Sequence, residues 1–251
     1  KYDIINIDDP KKPFRVGVYE LDTPGHSIHD VWIEDGIAYS SNWADGIVAV
    51  DIGAKKHKES DRSKSQFNPL LAKAGQGSPS NPVKLAEMKD PTGRNHAAFP
   101  YLNEKTGQFY IIGGDENFPW GVQATKNKPS NPRGGYHFMN FTDPNNPRED
   151  AIYEVPEAGS HNLWIYGDIL LAGNYQGGLR IVDISGELLG DIYKQGREIA
   201  HYLSYHKDGR IPNAPMVWGA QPYKDYIFFS DMNSGLYCVA YEDEQKTASA
   251  E

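Results

Sequence analysis

The chain has 251 residues, of which 39% are hydrophobic and 12% aromatic, and this is enough apolar material for a folded core. Its 34 acidic and 25 basic residues give a formal net charge of −9, which argues against a nucleic-acid partner, because phosphate binding needs a basic face. No stretch approaches the roughly 18 apolar residues of a membrane span, so the sequence predicts no transmembrane segment.

The first predicted elements are two short strands, YDIINI at residues 2–7 and PFRVGVYELD at residues 13–22. Both are rich in residue types that favour strands, and the prolines between them are typical of a connection. A repeating frame begins beyond them, and internal repeats of this kind are typical of arrays of one structural unit.

Each copy of the frame predicts three strands. The first strand opens on a polar or aromatic residue, the second ends thirteen positions later in Asn or Asp, and a glycine seventeen positions after the first residue opens the third. Regular copies begin at His29, His161 and Trp218, with the third strands GIVAVDI, GLRIVDI and GLYCVAY. An irregular copy lies between the first two and consists of NHAAF (95–99), FYIIGGDE (109–116) and YHFMNF (136–141).

A fourth strand is predicted after each of the first three copies, at PVKLAEMKD (82–90), PREDAIYEV (147–155) and GREIAHYLS (196–204). Four strands per copy predict an all-β fold, a β-propeller of four-stranded antiparallel blades, with about four and a half blades in this chain. Both chain ends supply a third strand, so we expect the chain to be the C-terminal part of a larger ring or to close unconventionally.

We expect one propeller domain over residues 1–241, with polar loop insertions at 53–82 and 117–135 and a polar tail at 242–251. The single cysteine, Cys238, excludes an intramolecular disulfide and lies among apolar residues of a third strand. We therefore predict that it is buried and unreactive.

The sequence resembles the LVIVD-repeat family of bacterial β-propellers. GLRIVDISG (178–186) is similar to the signature of that family, and HDVWIEDGIAYSSNWADGIVAVDIG, EVPEAGSHNLW, VWGAQP and FFSDMNSGLY resemble its successive blades. The resemblance implies a propeller fold, further N-terminal blades, and export to the cell envelope or the extracellular space. It implies no particular reaction or catalytic set.

The frame brings the starts of first strands and the ends of second strands to one face of a propeller, where converging polar groups favour a ligand site. The residues that it places there are His29, His96, His161 and Trp218 from the starts, and Asn42, Asp115, Glu116, Asn174 and Asp231 from the ends. The candidate metal ligands are His29, His96, His161, Asp115 and Glu116. Imidazoles with a carboxylate suit zinc, copper or iron, whereas carboxylates and amides alone suit calcium.

A structural alternative is open for the same residues: each His ties its blade to a neighbour by a hydrogen bond, and each Asn or Asp caps the following turn. The tryptophans divide in a similar way. Trp32 and Trp164 are predicted to pack between blades, whereas Trp43 and Trp120 lie in predicted loops and are, with Trp218, candidates for contacting a ligand.

Two functions follow from these patterns. The first is a non-catalytic module that binds a protein partner or small ligand in an extracellular or envelope assembly. The second is a metal-dependent enzyme, an oxidoreductase or hydrolase, with a divalent ion near the propeller mouth. The sequence contains no GxSxG elbow, phosphate-binding loop, dinucleotide fingerprint or HExxH motif.

Overall fold

The computed structural model describes residues 1–57, 67–118, 134–156 and 158–242. These residues form an almost entirely β structure, and the fold is a β-propeller. The chain divides into two compact units: unit 1 comprises 1–116, 135–153 and 185–192, and unit 2 comprises 117–134, 154–184 and 193–251.

Unit 1 contains two blades and a two-stranded ribbon. The ribbon pairs β1 (Tyr2–Asn6) with β2 (Phe14–Tyr19). Blade 1 is an antiparallel sheet of β3 (Asp30–Glu34), β4 (Ile37–Ser41), β5 (Ile47–Asp51) and β6 (Val83–Met88). Blade 2 contains β7 (Asn95–Asn103), β8 (Gln108–Asp115), β9 (Gly135–Asn140) and β10 (Arg148–Glu154). A short strand, β14 (Gly190–Asp191), adds to β10 in parallel.

The core of unit 1 lies between its two blades. Tyr39 and Ile47 of blade 1 and Ile111 and Met139 of blade 2 belong to one buried apolar cluster. Trp32 lies at the margin of this cluster, where its ring centroid is 4.3 Å from the ring centroid of Phe99. The prediction that Trp32 packs between blades is therefore confirmed.

The insertion at 53–82 includes a short helix, α1 (Pro69–Lys73), which the sequence analysis did not predict. Asn68 caps this helix by accepting a hydrogen bond from the Leu70 N–H, and Leu70 and Leu71 are buried in the core of unit 1. The interpretation of the whole insertion as a polar loop is therefore wrong for this segment. The insertion is polar on average but contains Leu70 and Leu71, and the burial of these two side chains stabilises the unit.

Unit 2 also contains two blades. Blade 3 is formed by β11 (Leu163–Tyr166), β12 (Ile169–Gly173), β13 (Leu179–Asp183) and β15 (Glu198–Tyr202). Blade 4 is formed by β16 (Val217–Tyr223), β17 (Tyr226–Asp231) and β18 (Gly235–Val239). Their shared core includes Leu171, Leu179, Val217 and Phe229, and Trp164 packs against it as predicted.

The repeated glycine has a steric cause. Gly46 and Gly178 open the third strands of blades 1 and 3 with positive φ angles of 71° and 80°. A side chain at these positions would also collide with backbone, since a Cβ would lie 2.2 Å from the Met88 carbonyl oxygen at Gly46 and 2.3 Å from that of Tyr202 at Gly178. Only glycine satisfies both conditions, which explains its recurrence in the frame.

Cys238 is exposed, so the prediction of a buried thiol is wrong. It lies in β18, the outer strand of a sheet that has three strands among the described residues. Its neighbours Tyr237 and Val239 pack against the core of unit 2, so Cys238 points to the opposite face of β18, where Leu236 is also exposed.

Candidate metal centre

Neighbouring blades are joined where a second strand ends. Trp43 follows β4 and Tyr175 follows β12, and both have left-handed backbones, with φ of 54° and 47°. Trp43 donates its N–H to the carbonyl of Asn95, and Tyr175 exchanges two backbone hydrogen bonds with Val217. Backbone hydrogen bonds thus connect the end of the second strand in one blade to the start of the first strand in the next blade.

The histidines add a side-chain bond at the same junctions. His29 Nδ1 lies 3.2 Å from the carbonyl oxygen of His96, and His161 Nδ1 lies 3.0 Å from that of Trp218. Each histidine therefore reaches the residue in the next blade that occupies its own position in the frame. The predicted connection between blades is confirmed for His29 and His161.

In unit 1 the residue reached by His29 is itself a histidine. The rings of His29 and His96 have centroids 3.9 Å apart, and His96 Nε2 lies 3.8 Å from Glu116 Oε2. One donor atom from each of His29, His96 and Glu116 lies within 4.8 Å of the other two. Three of the five metal ligands predicted from the sequence therefore lie together.

This cluster is open on one side. His96 is buried, Glu116 is half-buried and His29 is exposed. The ring of Trp43 stands edge-on to His29, with centroids 4.8 Å apart. A bond from His29 Nδ1–H to a carbonyl leaves Nε2 as a basic acceptor, which is the usual arrangement of a metal-binding histidine.

Asp115, the fourth predicted ligand in unit 1, belongs to a different cluster with Asp90 and His137. Donor atoms of these three buried side chains also lie within 4.8 Å of one another. His137 Nε2 is 3.3 Å from Asp115 Oδ2 and 3.8 Å from Asp90 Oδ1, while Nδ1 is 2.5 Å from Glu149 Oε1. The repeat gives no signal for Asp90, His137 and Glu149, because they lie in third and fourth strands or just beyond them, outside the positions that the frame compares.

Neighbouring carboxylates determine the protonation state of His137 in this second cluster. Burial lowers the pKa of His137, but hydrogen bonds to Asp115 and Glu149 outweigh burial and raise the pKa to about 10. Burial also raises the pKa of Asp90, and the neighbouring charge of Asp115 raises it further. Without another cation the imidazole is thus positively charged at neutral pH.

In unit 2 the corresponding junction is aromatic. The ring centroid of His161 lies 5.0 Å from that of Trp218 and 5.3 Å from that of Tyr175, and Trp218 Nε1 donates to the Tyr175 hydroxyl over 3.3 Å. Neither group of metal-binding donors found among the described residues includes His161. Trp218 is 40% exposed and thus offers an open aromatic surface to a ligand.

Three of the four Asn and Asp residues at the ends of second strands bind backbone through buried side chains. Asn42 donates to the Gly46 carbonyl, Asn174 donates to the Gly159 carbonyl, and Asp231 accepts the N–H groups of Asn233 and Ser234. The capping interpretation is confirmed for the turns after Asn42 and Asp231. The side-chain oxygens of Asn42 and Asn174 have no hydrogen-bond partner among the described residues. Trp120 lies outside those residues.

A pocket of about 320 Å³ also lies in unit 1, lined by Glu34, Asp35, Phe67, Asn68, Pro100, Tyr101, Leu102 and Phe109. None of the site residues predicted from the sequence lines it. Among the described residues, no helix has the length and apolar character that crossing a bilayer requires.

No family model and no curated relative matches this chain. The solved structures that are similar in fold include two computationally designed proteins. The computationally designed Ika4 protein has a TM-score of 0.50 and 11% identity, over 89% of this chain and 96% of that one. The computationally designed Ika8 protein has a TM-score of 0.50 and 10% identity, over 90% of this chain and 49% of that one. At such identities the likeness concerns the fold alone.

Proposed function

We propose that this protein is a binding module of the β-propeller class and that His29, His96 and Glu116 form a centre for a divalent transition-metal ion. The observation that carries the proposal is the meeting of three donor atoms within 4.8 Å, one of them on an exposed side chain. Two imidazoles with one carboxylate form a donor set that catalytic zinc sites use.

The spacing requires only small side-chain movements. Bonds of about 2.0–2.1 Å place the donors of a tetrahedral zinc ion about 3.4 Å apart. His96 Nε2 and Glu116 Oε2 are 3.8 Å apart, and the side chains of His29 and Glu116 have solvent-exposed surface. Rotation of these two side chains toward His96 would therefore complete the coordination without changing the strands.

An ion held by three protein ligands has a fourth position for an outside group. In a binding module this position would be filled by a donor atom of a protein partner or of a small ligand. The edge-on ring of Trp43 supplies an apolar surface beside it. We further propose that the module works in an extracellular or envelope assembly. The resemblance of GLRIVDISG to exported repeat proteins supports this location, and fractionation of the native cells tests it.

A metal-dependent oxidoreductase or hydrolase is the second candidate, because the same open position would admit a substrate or a nucleophilic water. The two candidates differ in turnover. A hydrolase would cleave a chromogenic ester in its zinc form and lose that activity in His96→Ala, whereas a binding module would show no cleavage above free zinc.

Calorimetric titration of chelator-stripped protein with ZnCl₂ tests the proposed centre. Wild-type protein should bind zinc, and His29→Ala and His96→Ala should each remove one bound equivalent. His161→Ala is the matched control, because it removes the same inter-blade hydrogen bond at a junction where Trp218 replaces the second imidazole. Unchanged zinc binding in both His29→Ala and His96→Ala would refute the assignment, as would an equal loss in His161→Ala.

A further inference from the structure

We propose that Asp90, Asp115 and His137 form a second metal site, buried in unit 1, that binds a carboxylate-preferring divalent cation such as Mn²⁺. The three residues come from separate segments of two blades. Asp90 follows β6, Asp115 ends β8, and His137 lies in β9. Their donor atoms meet within 4.8 Å, and each residue is less than a tenth exposed.

One carboxylate oxygen of this cluster lacks a hydrogen bond among the described residues. Asp90 Oδ2 accepts hydrogen bonds from the Thr92 hydroxyl and the Arg94 N–H, whereas Asp90 Oδ1 has no hydrogen-bond partner among the described residues. The side chain is fully buried, and Oδ1 faces His137 Nε2 from 3.8 Å, beyond hydrogen-bonding distance. A buried carboxylate oxygen without a hydrogen bond is costly, and a cation bound between these atoms would lower that cost further than the distant imidazole does.

The imidazole of His137 has the orientation of a metal ligand. Glu149 Oε1 lies 2.5 Å from His137 Nδ1, so Nδ1 carries a proton and Nε2 points at the two aspartates. A histidine that donates one ring N–H to a carboxylate and presents the other nitrogen to an ion is the usual arrangement at protein metal sites. Glu149 is 32% exposed, so it lies at the solvent edge of the cluster.

The cluster also carries an excess of negative charge. Three carboxylates, those of Asp90, Asp115 and Glu149, surround one imidazole. A proton on His137 Nε2 compensates one of them, whereas a divalent cation in its place compensates two. Buried charges require such compensation, because water does not screen them there.

The donor types determine the class of ion. Two carboxylate oxygens and one imidazole nitrogen are a harder set than the two imidazoles of the His29–His96–Glu116 centre, and oxygen-rich sites suit Mn²⁺. Thr92 lies between the aspartates, with its hydroxyl 2.6 Å from Asp90 Oδ2 and 2.9 Å from Asp115 Oδ1. Because a hydroxyl has one hydrogen, Thr92 donates to one of these oxygens at a time, and it contacts both carboxylates.

Electron paramagnetic resonance of free Mn²⁺ measures binding directly, because the aqueous ion loses its sharp signal when it binds. Wild-type protein should bind one Mn²⁺, and Asp90→Asn and His137→Gln should abolish that binding while circular dichroism shows a folded protein. Glu149→Gln, at the partly exposed edge, should weaken binding by about 10–100-fold, the usual effect of losing an outer carboxylate.

His96→Ala separates this proposal from the first one. It should lose zinc at the exposed centre and keep its Mn²⁺. Absence of bound Mn²⁺ in the wild-type protein would overturn the buried site and would show that the cluster is a permanently protonated ion-pair network. Equal Mn²⁺ affinity in the wild type and Glu149→Gln would also overturn it, even if the two more buried variants failed to fold.

Discussion

Substitution of Asp51 by Asn should destabilise the protein more than its small change in shape suggests. Asp51 is completely buried at the end of β5, and its carboxylate accepts five backbone N–H groups. Oδ1 accepts those of Gly53 and Ala54 at 2.9 and 2.8 Å. Oδ2 accepts those of residues 75, 76 and 77 at 2.7, 3.2 and 2.8 Å. One side chain thus anchors both ends of the insertion that contains α1.

The magnitude follows from the bonds that an amide cannot make. In the variant, the side-chain amide oxygen would serve one group of donors and the NH₂ would face the other, so at least two N–H groups would lose their acceptor. Each unsatisfied buried donor costs about 1–3 kcal/mol, and part of this segment is accessible to water. We therefore expect Asp51→Asn to lower the free energy of unfolding by about 2–4 kcal/mol at pH 7.

The effect should depend on pH. Burial opposes ionisation of Asp51, but hydrogen bonds from the N–H groups of Gly53, Gly77, Ala54 and Gly75 outweigh it and lower the pKa. A carboxyl whose pKa is lower in the folded state stabilises the protein above its unfolded pKa of about 3.9. This stabilisation is lost as the pH falls through the folded pKa, so the difference between wild type and variant should shrink in acid.

Urea denaturation followed by tryptophan fluorescence, between neutral pH and acid, measures both quantities. Asp143→Asn is the control, because the pKa of Asp143 is also lowered, by hydrogen bonds from Asn146 and Asn145, but its carboxylate is at the surface. Its substitution should have a much smaller effect. Equal stability of Asp51→Asn and wild type at pH 7, or a stability difference that does not change with pH, would refute the reasoning.

Two further predictions concern the repeat and the exposed thiol. Gly178→Ala should destabilise the protein by about 2 kcal/mol more than Gly186→Ala, which is a usual cost of overpacking. Both glycines have positive φ, but only at Gly178 would a Cβ collide with backbone, so equal unfolding midpoints of the two variants would contradict the prediction. Cys238 is exposed, so its thiol should react with a thiol reagent in the native protein at nearly the rate of the unfolded chain. A thiol that reacts only after unfolding would contradict this and would show that β18 is covered in solution.

The blade architecture was predictable because it depends on local chemistry that repeats. Strand formers alternate with turns, and Gly46 and Gly178 are required by the left-handed backbone and by the close approach of the next strand. The frame also predicted that five candidate ligands converge at one face, namely His29, His96, His161, Asp115 and Glu116. Donor atoms of His29, His96 and Glu116 do lie together.

The buried cluster was not predictable by the same reasoning. Asp90 lies just after a fourth strand and His137 within a third strand, and neither position has a counterpart in the comparison of first-strand starts with second-strand ends. Their proximity depends on how far two strands of different blades extend, which composition and spacing do not encode. The exposure of Cys238 has a related cause, because an apolar strand is buried only if another element covers it.

The most direct test of the central claim is X-ray absorption at the zinc edge on protein loaded with one equivalent of zinc. We predict nitrogen and oxygen neighbours at about 2.0–2.2 Å, with the outer-sphere scattering of two imidazoles. This two-imidazole scattering should be absent in His29→Ala, because that variant no longer holds the ion at the centre. His161→Ala should give the wild-type spectrum. A spectrum without imidazole scattering, or one that is identical in wild type and His29→Ala, would contradict the assignment of the exposed metal centre.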